Sequence, residues 1–194
     1  MKVLGITGGV GSGKSCVLEY LKTEYGAVIC QLDEVAKALQ KKGQSCYSRI
    51  VEAFGQVILT DDGELDRGKL SQIVFRDASR LKLLNTIVHP AVKQQVQRYI
   101  SEEKAKQTSL YVIEAALLPT AGYEDICDEM WYIFAAEDVR RERLRAFRGY
   151  TDEKITDMIQ SQPAEEIFRL ACTAVIDNSG GFEETKKQIG ELLI

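Results

Sequence analysis

The sequence predicts an α/β protein in which a five-stranded parallel sheet lies between two layers of helices. Five short runs of the chain are almost continuously apolar, which is typical of strands buried on both faces. Helical patterns separate these runs, as expected where crossover helices join parallel strands. A glycine-rich segment follows the first run, and the carboxyl end of a parallel strand is where such folds bind ligands.

The predicted strands come in chain order. They are KVLGIT at 2–7, AVICQ at 27–31, SLYVIEAALL at 109–118, EMWYIFA at 129–135 and TAVIDN at 173–178. The first strand begins directly after Met1, which leaves no room for a signal peptide. We therefore expect one cytoplasmic α/β domain over residues 1–194.

The glycine-rich segment after the first strand contains the pattern G-x-x-x-x-G-K-S, known as the P-loop. Its backbone N–H groups, from residues 9–14, are expected to surround a phosphate at a helix N-terminus. Lys14 is expected to reach the β- and γ-phosphates of ATP, and the Ser15 hydroxyl to bind Mg²⁺. The P-loop residues predicted to contact ATP are Gly8, Gly9, Gly11, Ser12, Gly13, Lys14 and Ser15. The alternative is a glycine-rich turn that binds nothing.

A helical pattern follows the P-loop and a longer helical stretch follows the second strand. Val17, Leu18 and Leu21 have helical spacing, and Gly26 is expected to end that helix. Residues 34–106 contain helical patterns but no strand-like run, including one at 67–76 with Asp66 as its N-cap. A crossover between parallel strands needs only about a dozen residues. We therefore predict a helical insertion that binds the phosphoryl acceptor.

The last helical pattern of this insertion is the longest. Its apolar stripe runs from Leu81 to Ile100, with a kink expected at Pro90. His89 falls inside the stripe, where a histidine is more often structural than catalytic.

Several charged residues outside the P-loop are candidates for phosphoryl transfer. Asp33 follows the second strand and is either the group that accepts the proton of the attacking hydroxyl or an N-cap. The segment RRERLRAFR at 140–148 holds five arginines, which form either a phosphate-binding lid or a solvated helix face. Glu114, in the third strand, either holds a metal-bound water or pairs with a base.

Charge and cysteine content exclude several kinds of partner. A net charge of −4 argues against a nucleic acid or an anionic membrane as the main partner. The five cysteines form no C-x-x-C pair and there is one histidine, so a zinc site is not expected. Cys16 and Cys30 fall on predicted buried elements and are expected to be reduced core thiols.

Further segments occur in a characteristic order after the P-loop: LDEVAKAL, DGELDRGKL, LNTIVHPAV, RERLRAFRGYTDEKI and VIDNSG. Together with the P-loop they resemble the dephospho-CoA kinase family over nearly the whole chain. The resemblance implies a P-loop core, a helical acceptor domain at about 34–106 and a helical lid at about 137–162. It also implies transfer of the γ-phosphoryl group of ATP to the ribose 3′-hydroxyl of dephospho-CoA, with Mg²⁺.

The same resemblance assigns roles to individual residues. Asp33 would be the base, and Lys14 and Arg143 would complete the catalytic set. Cys16 would join the P-loop residues that hold ATP, with Asn178 on the adenine side. Arg148 would be the second lid arginine, because Phe147 stands where the family pattern has arginine. Further departures from the pattern are Cys16, Gln31, Lys37, Ala116 and Thr120.

Three other functions remain open from the sequence: another small-metabolite kinase such as a nucleoside monophosphate kinase, an ATP-binding pseudokinase, and a GTP-dependent switch. The last is disfavoured because DNSG at 177–180 is not followed by N-K-x-D. The expected partners are ATP and dephospho-CoA, without nucleic acid or membrane. We expect a monomer or a weak homo-oligomer.

Overall fold

The computed structural model describes residues 1–193, which form five strands and nine α-helices. The strands are β1 (Lys2–Thr7), β2 (Val28–Gln31), β3 (Leu110–Glu114), β4 (Glu129–Phe134) and β5 (Ala174–Asp177). The helices are α1 (Lys14–Tyr25), α2 (Leu32–Leu39), α3 (Tyr47–Phe54), α4 (Arg67–Arg76), α5 (Ala78–Ala105), α6 (Glu137–Arg148), α7 (Asp152–Gln160), α8 (Glu165–Ala171) and α9 (Phe182–Leu193). Within residues 1–193 no helix is both long and apolar enough to cross a membrane.

The sheet has the strand order β2-β3-β1-β4-β5. β1 lies at its centre and pairs in parallel with β3 and with β4, and β4 pairs in parallel with β5. Trp131 and Tyr132 of β4 show that both faces are covered. Trp131 belongs to the core cluster that includes residues of α1 and α9, whereas the Tyr132 ring stacks on Phe168 of α8 at 5.0 Å. The predicted α/β fold with a five-stranded parallel sheet is confirmed.

The third predicted strand is shorter than its apolar run. β3 ends at Glu114, after which the Thr7 hydroxyl donates to the Ala116 carbonyl. Leu118–Thr120 then forms a 3-10 turn, and Leu118 is fully buried. The apolar residues beyond Glu114 are therefore not strand residues. The run extends past the strand because Leu118 is packed in the core from the 3-10 turn.

The chain divides into two compact units. The first contains residues 1–29 and the chain from residue 104 onward, and it carries the P-loop segment and α6 to α9. The second is Cys30–Glu103, with α2, α3, α4 and nearly all of α5. In this second unit α4 begins where the sequence predicts, because the Asp66 carboxylate accepts from the Lys69 N–H at 3.0 Å.

The long helix α5 confirms most of the predicted stripe but not the position of His89. The helix runs over 28 residues with Pro90 inside it, and its buried residues include Val88, Val92 and Ile100. His89 is exposed. The buried row advances by four residues at a time, so His89 lies one position off it. The expectation that His89 belongs to the apolar stripe is wrong.

The first helix after the P-loop confirms its predicted end and corrects one cysteine. Gly26 takes a left-handed conformation with φ 61° and its N–H donates to the Leu21 carbonyl, so α1 ends there. Cys30 is buried as expected, but Cys16 is exposed. Val17, Leu18 and Leu21 occupy the buried face of α1, and Cys16 lies outside that face.

Candidate active site

The P-loop segment connects the central strand β1 to α1, so the N-terminus of α1 opens at the carboxyl end of the sheet. Gly13 precedes α1 with φ 86°, a conformation that favours glycine. A Cβ there would also lie 2.3 Å from the Asn178 Nδ2 atom. Gly13 therefore satisfies two separate demands, one on the backbone and one on space.

Lys14 lies between a P-loop carbonyl and a carboxylate. Its Nζ atom donates to the Gly8 carbonyl at 2.7 Å and lies 4.0 Å from the Glu114 Oε1 atom. Both side chains are mostly buried, at 15% and 14% exposed. Glu114 reaches this position because it pairs in register with Ile6, directly before the P-loop. Sequence reasoning left the role of Glu114 open, and the structure brings it to the P-loop lysine.

Three N–H groups of the P-loop already have partners within the protein. The Val10 N–H donates to Gln162 Oε1 at 3.1 Å, the Ser12 N–H to the Gly9 carbonyl at 3.2 Å, and the Cys16 N–H to the Gly13 carbonyl at 3.0 Å. The Val10 and Ser12 N–H groups therefore donate to protein acceptors in this structure, and the expectation that the N–H groups of residues 9–14 surround a phosphate stays a prediction.

The Ser12 hydroxyl differs from its own N–H group. Ser12 is 1% exposed, and its Oγ atom has no hydrogen-bond partner among residues 1–193. A buried polar atom without a partner costs about 1–3 kcal/mol. Such an atom at the predicted ATP site is the kind of group that a bound ligand satisfies.

Arg143 and Asn178 hold the P-loop at the Ser12 carbonyl. The Asn178 Nδ2 atom donates to it at 2.7 Å and Arg143 Nη1 at 3.5 Å, while Arg143 Nη2 donates to the Asn178 carbonyl at 2.8 Å. Asn178 is 3% exposed, and its Oδ1 atom accepts from the Thr185 hydroxyl at 2.8 Å. Both ends of the Asn178 amide are thus used inside the protein.

Arg140 and Gln162 hold the P-loop at Val10, two residues before Ser12. Arg140 Nε donates to the Val10 carbonyl at 2.8 Å, and Arg140 Nη2 donates to Gln162 Oε1 at 2.7 Å. Sequence reasoning counted Arg140 only as one of five neighbouring arginines and gave Gln162 no role of its own. No local pattern could have identified them, because they lie 130 and 152 residues from Val10.

Two other arginines of α6 follow the solvated-face alternative. Arg141 binds Glu137 and the Thr156 hydroxyl, at 2.8 and 3.0 Å. Arg145 binds Asp152 at 2.6 Å. Arg148, the last residue of α6, is exposed, and its contact with ATP stays a prediction.

Asp33 is not an N-cap. Helix α2 begins at Leu32 with Gln31 in the N-cap position, so Asp33 lies inside the first turn. Its carboxylate is exposed. It belongs to the second compact unit, and its role toward the γ-phosphate stays a prediction.

The residues that could bind a divalent cation are few. Within residues 1–193 no group of three His, Cys, Asp or Glu side chains is arranged to hold a metal. The Ser15 hydroxyl is exposed in the first turn of α1, one residue after Lys14. Mg²⁺ prefers oxygen ligands and is usually held by one or two protein groups with water and substrate phosphates. Ser15 and Glu114 fit such a site, provided that the nucleotide supplies the phosphates.

The chain is similar to known proteins over its full length. A family model described as CoaE, dephospho-CoA kinase, matches residues 2–184. The dephospho-CoA kinase of Carboxydothermus hydrogenoformans is 36% identical over 194 residues, covering 100% of this chain and 93% of that protein. The dephospho-CoA kinase of Enterococcus faecalis is 38% identical over 192 residues, covering 99% and 96%. The crystal structure of TT1252 from Thermus thermophilus superposes with a TM-score of 0.82 at 28% identity, covering 99% of this chain and 96% of that one.

Proposed function

Because this chain belongs to the dephospho-CoA kinase family, we propose that it transfers the γ-phosphoryl group of ATP to the ribose 3′-hydroxyl of dephospho-CoA. It is accordingly an ATP-dependent kinase of coenzyme A biosynthesis. The observation that carries this proposal is the position of Lys14, at the start of α1, with its ammonium between the Gly8 carbonyl and Glu114. A fixed cation at that point can bind the β- and γ-phosphoryl oxygens.

ATP binding is proposed to exchange protein contacts of Lys14 for phosphate contacts. The Gly8 carbonyl is a neutral acceptor, whereas the phosphoryl oxygens carry charge and form the stronger hydrogen bond with an ammonium. The P-loop glycines Gly8, Gly9, Gly11 and Gly13 leave room for the triphosphate, and the Ser12 hydroxyl would gain a partner. Cys16 would contact the phosphates from the exposed side of α1.

Mg²⁺ is proposed to bind with ATP through the Ser15 hydroxyl, with Glu114 holding a coordinated water. When bound, the ion neutralises charge on the β- and γ-phosphoryl oxygens. The Glu114 carboxylate also lies 4.0 Å from the Lys14 ammonium and helps to orient it. Lys14 would then bind the phosphoryl oxygens directly, and Glu114 would act on them only through the coordinated water.

Asp33 is proposed to accept the proton of the attacking hydroxyl. The 3′-oxygen forms a bond to the γ-phosphorus, the bond from that phosphorus to the β,γ-bridging oxygen breaks, and ADP leaves with that electron pair. The hydroxyl proton passes to the Asp33 carboxylate. Asp33 is exposed in the first turn of α2, and the helical segment at 34–106 is proposed to bind dephospho-CoA beside it.

The lid segment at 137–162 is proposed to close over ATP. Arg143 would reach the phosphates from α6 while it supports the Ser12 carbonyl. Arg148 would approach from the exposed end of the same helix. Asn178 would act on the nucleotide through the P-loop that it holds, at the adenine side. A cytoplasmic location and a monomer or weak homo-oligomer stay predictions.

An ADP-release assay with alternative acceptors tests the proposed function. We expect turnover with dephospho-CoA and ATP, and little with AMP, CMP or shikimate, or with GTP as the donor. Mass spectrometry and ³¹P spectroscopy of the product should locate one new phosphate on the ribose 3′-oxygen. Preferential turnover of AMP or CMP would instead support a nucleoside monophosphate kinase. Tight ATP binding without any turnover would support a pseudokinase.

A further inference from the structure

Arg140 and Gln162 form a closed set of contacts with one P-loop residue. Arg140 Nε donates to the Val10 carbonyl at 2.8 Å, and the Val10 N–H donates to Gln162 Oε1 at 3.1 Å. The same Oε1 atom accepts from Arg140 Nη2 at 2.7 Å. Both backbone groups of Val10 are therefore fixed by two side chains that also fix each other.

The Arg140 guanidinium is partly buried and unusual in its partners. Among residues 1–193 no carboxylate forms an ion pair with it, although the charges of Glu137 and Glu165 act on it from farther away. Burial lowers the pKa of the guanidinium below its usual value, because the charged form loses solvation. Removing a cation from water without an anionic partner costs free energy. Stabilisation of the fold alone therefore does not account well for the contact between Arg140 and Val10.

Two of the P-loop glycines, Gly9 and Gly11, leave the space that Arg140 occupies. A Cβ on Gly9 would lie 2.7 Å from the Arg140 guanidinium carbon, and one on Gly11 would lie 2.9 Å from the Arg140 carbonyl oxygen. A side chain at Gly11 would meet the backbone of α6, and one at Gly9 would displace the Arg140 guanidinium from its place. The spacing of glycines thus fits the approach of Arg140 in detail.

The neighbouring arginine shows what a structural role in this segment looks like. Arg141 joins α6 to α7 through Glu137 and Thr156 and does not contact the P-loop. Arg140 instead reaches the P-loop, from the first turn of α6. Gln162 reaches it from just after α7. Both ends of the predicted lid segment are thus attached at Val10.

We propose that Arg140 is a positioning residue for ATP binding, which together with Gln162 holds the P-loop at Val10 in the shape that accepts the triphosphate. The pair turns the Val10 carbonyl and N–H toward the lid side, so that the cradle is formed by the residues after Val10. This proposal rests on the proposed kinase function. It predicts an effect on ATP affinity rather than on the chemical step.

Arg140→Met, Gln162→Met and the double variant test the pair. Hydrogen bonds to charged groups contribute about 1.5–3 kcal/mol, so Arg140→Met should raise the Kd and KM for ATP roughly 10- to 100-fold. The KM for dephospho-CoA and kcat at saturating ATP should stay within about threefold. Because the contacts share Gln162 Oε1, the double variant should lose little more affinity than Arg140→Met alone.

Arg141→Met is the matched control, since it removes a lid arginine from the same helix without touching the P-loop. It should leave the Kd for ATP unchanged. Arg140→Lys separates geometry from charge: a lysine keeps the charge but cannot make both contacts, so it should remain at least about tenfold weaker than the wild type. Full recovery by lysine would show a general charge effect and overturn the proposal.

The remaining outcomes also decide the question. The proposal would be overturned by an unchanged Kd and KM for ATP in Arg140→Met. It would also be overturned if the affinity loss of the double variant equalled the product of the two single losses. A large fall in kcat at unchanged KM would overturn it too, because it would place Arg140 on the transferring phosphoryl group. If Arg140→Met does not fold, Gln162→Met carries the test. Wild-type protein that binds ATP without phosphorylating dephospho-CoA would refute the proposed function alone, and the Kd ratios would still judge the pair.

Discussion

Replacing Asn178 by alanine should lower both stability and ATP affinity. The side chain is 3% exposed, and its amide joins the Ser12 carbonyl of the P-loop to the Thr185 hydroxyl of α9. Alanine removes both contacts at once. The two groups left behind lie inside the protein, where water does not readily replace the lost partner.

The size of the effect follows from these two hydrogen bonds. Each contributes about 1 kcal/mol net. The groups that remain have only long alternative partners: Arg143 Nη1 lies 3.5 Å from the Ser12 carbonyl, and the Asp177 carbonyl lies 3.5 Å from the Thr185 hydroxyl. We therefore expect Asn178→Ala to cost roughly 2–3 kcal/mol of unfolding free energy, or a fall in Tm of about 5–10 °C for a chain of this size.

Thr185→Val provides the control, since it removes only the contact at the α9 end. It should cost about 1 kcal/mol and leave ATP affinity unchanged. Urea unfolding and calorimetry give the stabilities, and a fluorescent ATP analogue gives the Kd. We expect Asn178→Ala to weaken ATP binding by at least about tenfold, because the Ser12 peptide loses its main anchor. A variant with wild-type Tm and wild-type Kd would refute this account of Asn178.

Three further predictions concern the reaction and the thiols. Lys14→Ala should lower kcat at least about 100-fold, because the transferring phosphoryl group loses its fixed cation; near-normal turnover of the folded variant would contradict the P-loop assignment. Asp33→Asn should lower kcat about 10²–10⁴-fold with little change in Tm, since the residue is no cap and only its proton acceptor is lost; wild-type kcat would move the search for the base elsewhere. Burial raises the pKa of Cys127 to about 12 and that of Cys172 to about 11, so at about pH 8 both thiols stay protonated and unreactive. Iodoacetamide should then label the exposed Cys16 first and ATP should slow that labelling, as peptide mapping can show; equal labelling of Cys127 would contradict this.

Features set by neighbouring residues were predictable from the sequence. Asp66 was placed as the N-cap of α4, and Gly26 as the end of α1, because capping depends on residues within one turn. The alternation of apolar runs and helices predicted parallel strands but not their order: β2 was expected beside the P-loop strand β1, whereas β3 lies between them. Lys14 and Ser15 could be identified because the P-loop pattern specifies both residue types and their distance from the glycines.

Features set by packing between distant residues were not predictable. The apolar run after Glu114 suggested more strand, but Leu118 is buried in a turn. Asp33 remained one candidate N-cap, because nothing in the sequence shows that α2 starts at Leu32, directly after β2 and without a side-chain cap. The contacts of Val10 with Arg140 and Gln162 join positions whose sequence neighbourhoods contain nothing in common. Only the folded chain brings them together.

The contacts that shape the P-loop have a consequence for synthesis of the protein. The P-loop is synthesised before the side chains that hold it, which come 130 to 166 positions later in the chain. At about 5–20 residues per second, that interval is roughly 7–30 s. For most of that interval β1 also lacks its sheet partners β3 and β4, which start at Leu110 and Glu129. A nascent chain should therefore bind ATP only after Asn178 has been synthesised, so the nucleotide cannot guide the folding of the P-loop before that point.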